Sequence, residues 1–330
     1  MIIDPEETEE VFTPIAWKAL HDAVQELLRG TETDLDAYLH LLDQQVSLDG
    51  KKINIHCHGL LCNQQGPRVN DFARHISKQL VDYSIPRKDF INAKAKDSKY
   101  NTDAYSAELR EKARALFADV KKSGEGGEML LYMMIQTYLR LPQLLCKMAL
   151  KTSSNVHVHG VDGVHVKIDE SDGHLILYWG ESKLFKKPTA AIAAALKSLT
   201  PYLIDEGGSR SPLDRDLFLL RDNLDLGNST LRAALIQILD RDKPQFNDIE
   251  YRGAALVGFD CNSYPAPGNP FDKITIKTEL AKQVPTWIES IRKFLAEEEK
   301  LASISLEIFL IPFPDVEKFR LAFAKEIGLQ

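Results

Sequence analysis

The 330-residue chain carries 41 Lys and Arg against 48 Asp and Glu, a formal charge of −7, with 44% hydrophobic and 27% charged residues. This is the composition of a globular protein, and its acidic balance excludes the broad basic surface with which many proteins coat nucleic acid unaided, so any DNA contact must be local or assisted. The start "MIIDPEETEEVF" is acidic where a signal peptide is basic, the apolar run "LLYMMIQTYLRLPQLL" is interrupted by Gln136, Arg140 and Pro142, and Cys57, Cys62, Cys146 and Cys261 form no C-x-x-C pair; the expectation is a reduced, cytoplasmic protein with no membrane span, disulfide framework or zinc ribbon.

In chain order, "AWKALHDAVQELLRG" has helical apolar spacing and a Gly stop, "KKINIHCHGLL" reads as a strand, and "NDFARHISKQLVDY" reads as a helix capped by Asn70 with Phe72, Ile76 and Leu80 on one face. The polar, breaker-rich stretch "PRKDFINAKAKDSKYNTD" sets a soft boundary near residue 105, dividing an accessory α/β region (1–105) from a larger domain (106–330). From Asp103 a helical pattern reaches about Lys122, "SGEGGE" breaks it, and "EMLLYMMIQTYLRL" resumes as an apolar helix. A hairpin over residues 160–187 follows, then "KPTAAIAAALKSL", with Pro188 suited to a first turn and alanines suited to packing on a sheet. Two more helices ("LDRDLFLLRDNLD", "STLRAALIQILD"), a strand "RGAALVGFDC", a charged helix interrupted at Pro285, a strand "SISLEIFLI" and a closing helix "DVEKFRLAFAKEI" complete the chain. The fold class is α/β (α+β) with a mixed central sheet flanked by helices.

The hairpin carries the chemistry. Residues Leu175–Trp179 are apolar on both alternating faces, the mark of a buried strand, yet the strand runs into Glu181 and Lys183. A turn at Asp172-Gly173 pairs Asp162 with Glu181 or Lys183, and opposed residues on one face lie about 4.5–5.5 Å apart. Two facing carboxylates repel unless a cation lies between them, and Mg²⁺ is commonly held by one or two carboxylates with water and phosphate oxygens completing the shell. The lysine then stands where it can steady an attacking water and the charge on a phosphorane. The competing reading is a strand-end ion pair worth little energy.

These residues resemble the PD-(D/E)xK nuclease superfamily, built from a helix bearing an acid, a hairpin bearing Asp and then E-x-K, and a following helix. The resemblance implies a restriction-endonuclease-like core in which Asp162 and Glu181 hold Mg²⁺ (or Mn²⁺), Lys183 is the catalytic lysine, and a Glu of "GEGGEMLLY" is the third acid. Glu125 and Glu128 both qualify; Glu128 is favoured because a carboxylate at a helix start suits the dipole. The longer run "GEGGEMLLY…LPQLLCKMALKTSSNVHVHGVDGVHV…LYWGESKLF" and the closing "FLIPFPDVEKF" resemble the effector subunit family (HamA) of the Hachiman anti-phage system. That resemblance implies a deoxyribonuclease that acts on DNA and is held by a large superfamily 2 helicase (HamB-like).

Two other readings come from the same residues. A non-catalytic subunit that restrains or loads a helicase would need none of this chemistry. A zinc hydrolase would draw its ligands from the His-x-His pairs, His56 with His58 and His157 with His159, near Asp162 and His165, but leaves Glu181 and Lys183 without a role. Lys147, Lys151, Lys186 and Lys187 are candidate phosphate contacts, and "GEGGE" lacks the G-K-[ST] of a phosphate loop.

Overall fold

The computed structural model describes residues 14–29, 35–42, 46–48, 52–117, 124–150, 160–204, 211–226, 228–266 and 273–329. Helix α1 (Pro14–Gln25) is followed by strands β1 (Leu39–Leu41), β2 (Val46–Ser47), β3 (Ile53–Leu60), β4 (Cys62–Asn63) and β5 (Gly66–Pro67), then helices α2 (Val69–Ser77), α3 (Leu80–Ser84), α4 (Arg87–Tyr100), α5 (Ala104–Ala115) and α6 (Glu125–Met134). The hairpin is β6 (Gly163–Ile168) and β7 (Leu175–Phe185), and helices α7 (Pro188–Leu203), α8 (Pro212–Asp222) and α9 (Ser229–Ile238) come next. Strand β8 (Glu250–Asp260), helices α10 (Lys273–Ala281), α11 (Val284–Glu297) and α12 (Glu299–Ala302), strand β9 (Leu306–Phe313) and helix α13 (Val316–Glu326) close the chain.

The main sheet has the order β1-β3-β9-β8-β7-β6, with β2 also on β3. The interior pairs β3–β9, β9–β8 and β8–β7 are parallel and the edge pairs β1–β3 and β6–β7 antiparallel, so the sheet is mixed. Strand β8 from Gly253 to Phe259 and nearly all of β9 and β7 are buried on both faces, as parallel strands covered by helices on both sides must be. On one face Trp179 stacks toward Tyr202 of α7 (5.6 Å) and Phe259 meets Trp287 of α11 edge-on (4.9 Å). On the other, Phe313 packs on Phe319 of α13 (4.8 Å), which also meets Phe72 of α2 (6.0 Å), and α6 lies against β7. The sheet crosses the residue-105 division, since β3 pairs with β9 from Ile53↔Leu306 to Cys57↔Leu310.

Three local expectations are corrected. The helix of "NDFARHISKQLVDY" starts at Val69 with Arg68 in the capping position and no side-chain cap, and it divides into α2 and α3; Arg68 instead ties the start down through Ala37 O (2.7 Å) and Asp71 (3.1 Å). The polar stretch after Pro86 is the fourteen-residue helix α4, and its supposed breakers are its ends: Pro86 precedes the first turn and Asn101, at φ 52°, closes the last. The helix expected to resume at Glu128 starts three residues earlier, with Glu125, Gly126 and Gly127 in its first turn. A Cβ on Gly126 would lie 3.1 Å from Phe323 of α13 and one on Gly127 3.1 Å from Leu184 of β7, so the glycines let α6 approach both that helix and the sheet closely.

Candidate active site

The hairpin register is Gly163↔Gly180 through Ile168↔Leu175, which sets Asp162 across from Glu181. Asp162 stands just before β6. Its N–H donates to the Gly180 carbonyl (2.8 Å), while its Oδ2 accepts from both the N–H and the hydroxyl of Ser182, each at 2.7 Å. The carboxylate thus takes the ladder position that the next residue of β6 would fill, at the open end of the strand.

Side chains alternate along β7. A Cβ on Gly127 would lie 3.2 Å from Ser182 Oγ, so Ser182 and Leu184 face α6, whereas Trp179, Glu181 and Lys183 share the face of Tyr202 and α7. Glu181 is buried, only 5% exposed, and its Oε1 accepts from the Lys183 ammonium. From the other face the first turn of α6 brings Glu128, whose Oε2 accepts from the Tyr83 hydroxyl (3.0 Å). Lys147 donates to the Val161 carbonyl, immediately before Asp162.

Electrostatics joins these groups. Burial, and then the Asp162 charge, pushes the Glu128 carboxyl up to about 8 and the Glu181 carboxyl up to about 7, with Lys147 opposing both. Burial works against the Lys183 ammonium, but Glu181, Asp162 and Glu128 outweigh it, and its pKa is raised. Glu125 is buried at the same helix start. Of the two glutamates, Glu128 bears directly on Lys183. Desolvation, then the charge of Glu128, drives the fully buried Tyr83 hydroxyl well above its ordinary value, so it stays a donor.

Among the described residues the set of three ligand atoms mutually within 4.8 Å is Asp169, Asp172 and His174 at the hairpin tip. The three carboxylates at the root, Asp162, Glu181 and Glu128, do not form such a set, and their oxygens are engaged by Ser182, Lys183 and Tyr83. His157, His159 and Lys151 lie outside the described residues. His56 bonds Glu307 (2.7 Å), and desolvation holds His58 and His165 neutral, their pKa values lowered to about 3. No such set of three among the described residues includes a member of either His-x-His pair.

Sequence reading singled out Glu128, Asp162, Glu181, Lys183 and Lys147, and did not single out Tyr83 and Ser182, which bond Glu128 and Asp162. Ser182 was legible as the middle of E-x-K, turned to the opposite face by alternation. Nothing in the sequence links Tyr83 to a helix that begins over forty residues later.

A family model described as HamA matches residues 36–327. The chain belongs to the HamA family. HamA membership places it with the Hachiman defence-associated proteins. No curated protein gives a significant match. No described helix of this HamA chain is long and apolar enough to cross a membrane.

Proposed function

We propose that the protein is a metal-dependent DNA endonuclease of PD-(D/E)xK type, the effector of a two-component defence system in which a large superfamily 2 helicase holds and controls it. The observation that carries this is the gathering of Glu128, Asp162, Glu181 and Lys183 at the root of the β6–β7 hairpin, with two glutamates whose charge burial and Asp162 oppose. The order of elements, α6 with its acid, the hairpin, the E-x-K strand and α7, supports the same reading.

The residues fit a hard divalent cation. All candidate ligands are carboxylate oxygens, and the burial and neighbouring Asp162 charge that oppose ionisation of Glu128 and Glu181 are what a bound cation would offset. Asp162 and Glu181, with Glu128, would hold Mg²⁺ or Mn²⁺, which supplies Lewis-acid polarisation of the phosphate and a more acidic water. The remaining roles belong to the chain. Ser182 and Lys147 fix Asp162 and the residue before it at the strand end. Tyr83 orients the Glu128 carboxylate. Lys183, charged and 27% exposed at its side chain, donates toward a phosphate oxygen on which charge develops.

The test is a plasmid-cleavage time course with Mg²⁺ or Mn²⁺, for the protein alone and with the helicase. Cleavage stopped by EDTA is expected. Intact plasmid in every arm would overturn the nuclease reading in favour of a non-catalytic subunit.

A further inference from the structure

Helices α4 and α5 form an arm with almost no core of its own. Ala93 is the buried residue of α4 and Ala113 that of α5, yet helices of this length gain their stability mainly from packing an apolar face. Local devices hold the arm rigid instead. The Asp97 carboxylate accepts from the N–H groups of Tyr105 and Ser106 (2.9 Å each), pinning the first turn of α5 to the last turn of α4. Lys112 reaches Asp89 (3.3 Å) between the helices. At the root, the Arg87 N–H and guanidinium bond Asp225 (2.6 Å to its Oδ1 and 2.6 Å to its carbonyl).

The arm's charge is opposite to the chain's. Residues 87–114 hold eight Lys or Arg and five Asp or Glu, a net of three positive charges in a chain of −7. Lys88, Lys96 and Lys99, spaced i, i+8, i+11, share one flank of α4 and are exposed. None of the three makes an ion pair among the described residues. Aromatic rings lie under two of them, Tyr105 under Lys96 and Tyr100 under Lys99, each at 5.1 Å. The three span about 16 Å along the helix, a length over which one DNA strand presents about five phosphates. The arm also springs from the candidate site, since Tyr83, four residues before Arg87, is the partner of Glu128.

We infer that the α4–α5 arm is a DNA-backbone rail, with Lys88, Lys96 and Lys99 gripping phosphates of a duplex led toward the hairpin root. The choice of DNA as the polyanion rests on the nuclease reading. Three exposed cations, without ion pairs among the described residues and along one flank of a helix, match a polymer that carries charge along its whole length, which an acidic protein surface offers only by coincidence.

The experiment measures binding of a short labelled DNA duplex to the full chain by fluorescence anisotropy, across a salt series and without divalent metal. The triple variant Lys88→Gln/Lys96→Gln/Lys99→Gln should lose on the order of ten-fold affinity at low salt. Its log–log salt slope should be shallower by about 2–3, close to one per phosphate contact removed. A control triple of exposed lysines elsewhere, Lys277→Gln/Lys293→Gln/Lys318→Gln, makes the same change in net charge and should bind like wild type. Equal losses in the two triples, no binding by wild type at low salt, or unchanged DNA binding with lost co-purification of the helicase would each overturn the rail, the last assigning the arm to the protein partner. The outcomes separate from the nuclease reading. Loss of binding in the arm triple with no cleavage by wild type keeps the rail and removes the nuclease, and cleavage by wild type with normal binding by the triple does the reverse.

Discussion

The two ends of the β6–β7 hairpin carry the same kinds of residue and treat them oppositely. At the tip, Asp169 Oδ1 accepts from the Ser171 N–H (2.9 Å) and hydroxyl, and Asp172 accepts from His174. These hydrogen bonds hold both carboxyls below their ordinary value. At the root, burial and a neighbouring carboxylate raise Glu181 and Glu128 well above theirs. The tip groups are the closer set, with ligand atoms within 4.8 Å of one another, but they are content as they are. The root groups are spread wider, and carboxyls whose ionisation burial opposes mark a candidate site better than closeness does.

The sharpest way to break this contrast is to neutralise each end in turn. Asp162→Asn keeps the shape at the end of β6 but removes the charge at the open strand end; cleavage should fall by on the order of 10³-fold. Asp169→Asn with Asp172→Asn should leave the rate nearly unchanged. A plasmid-cleavage time course on the two variants decides it, and the contrast fails if the tip pair matters as much as Asp162.

Lys183→Ala follows in size. If the lysine serves only its ion pair with Glu181, truncation costs roughly 0–1 kcal/mol of stability and no rate. If it meets developing charge on a phosphate, the rate drops by on the order of 10²-fold while DNA affinity and the thermal melt barely move. A folded variant cutting at the wild-type rate would remove Lys183 from the mechanism.

The contrast also shows what sequence makes legible. The buried strand of Leu175–Trp179, its turn at Asp172-Gly173 and a register facing Asp162 with Glu181 or Lys183 follow from local periodicity and turn chemistry, and the observed pairing selects Glu181. Punctuation residues misled where they did two jobs. Pro86 and Asn101 bound α4 rather than preventing it, and Gly126 and Gly127 sit inside α6 where a Cβ would crowd Phe323 and Leu184. What no local pattern carries is long-range pairing. Strand β3 joins β9 some 250 positions later along the chain, and Tyr83 reaches Glu128 from a separate helix. Such contacts depend on how the sheet closes, which the order of elements leaves open.

At the tip, the expected vulnerability is structural. Gly173 has φ +78°, and a Cβ there would run into the Trp17 ring. Gly173→Ala combines left-handed strain with a clash and should destabilise by about 1–3 kcal/mol. Lower Tm with cleavage per folded molecule intact is the expected pair of results; a loss of rate at full folding would tie the tip to the chemistry after all.

The smallest effect concerns pH, and its sign follows from the raised carboxyls. Glu128 titrates from an ordinary 4.5 when unfolded to about 8 when folded. The folded state therefore binds the proton more tightly than the unfolded chain between these values. Its contribution to stability is fully present below 4.5 and is lost as pH rises through about 8. Glu181, raised to about 7, acts in the same direction over a narrower window. Glu128→Gln keeps an oxygen for the Tyr83 hydroxyl to donate to and deletes the titration, so the metal-free variant should lose less Tm than wild type between pH about 5 and about 9. Part of the slope should persist through Glu181. Mg²⁺ favours the ionised carboxylates, so adding it should raise the wild-type Tm more at the alkaline end than at the acidic end, and the variant should respond less. Thermal melts of both proteins across that range, with and without Mg²⁺, make the comparison; parallel pH profiles for wild type and variant would show that Glu128 is not held protonated at the hairpin root.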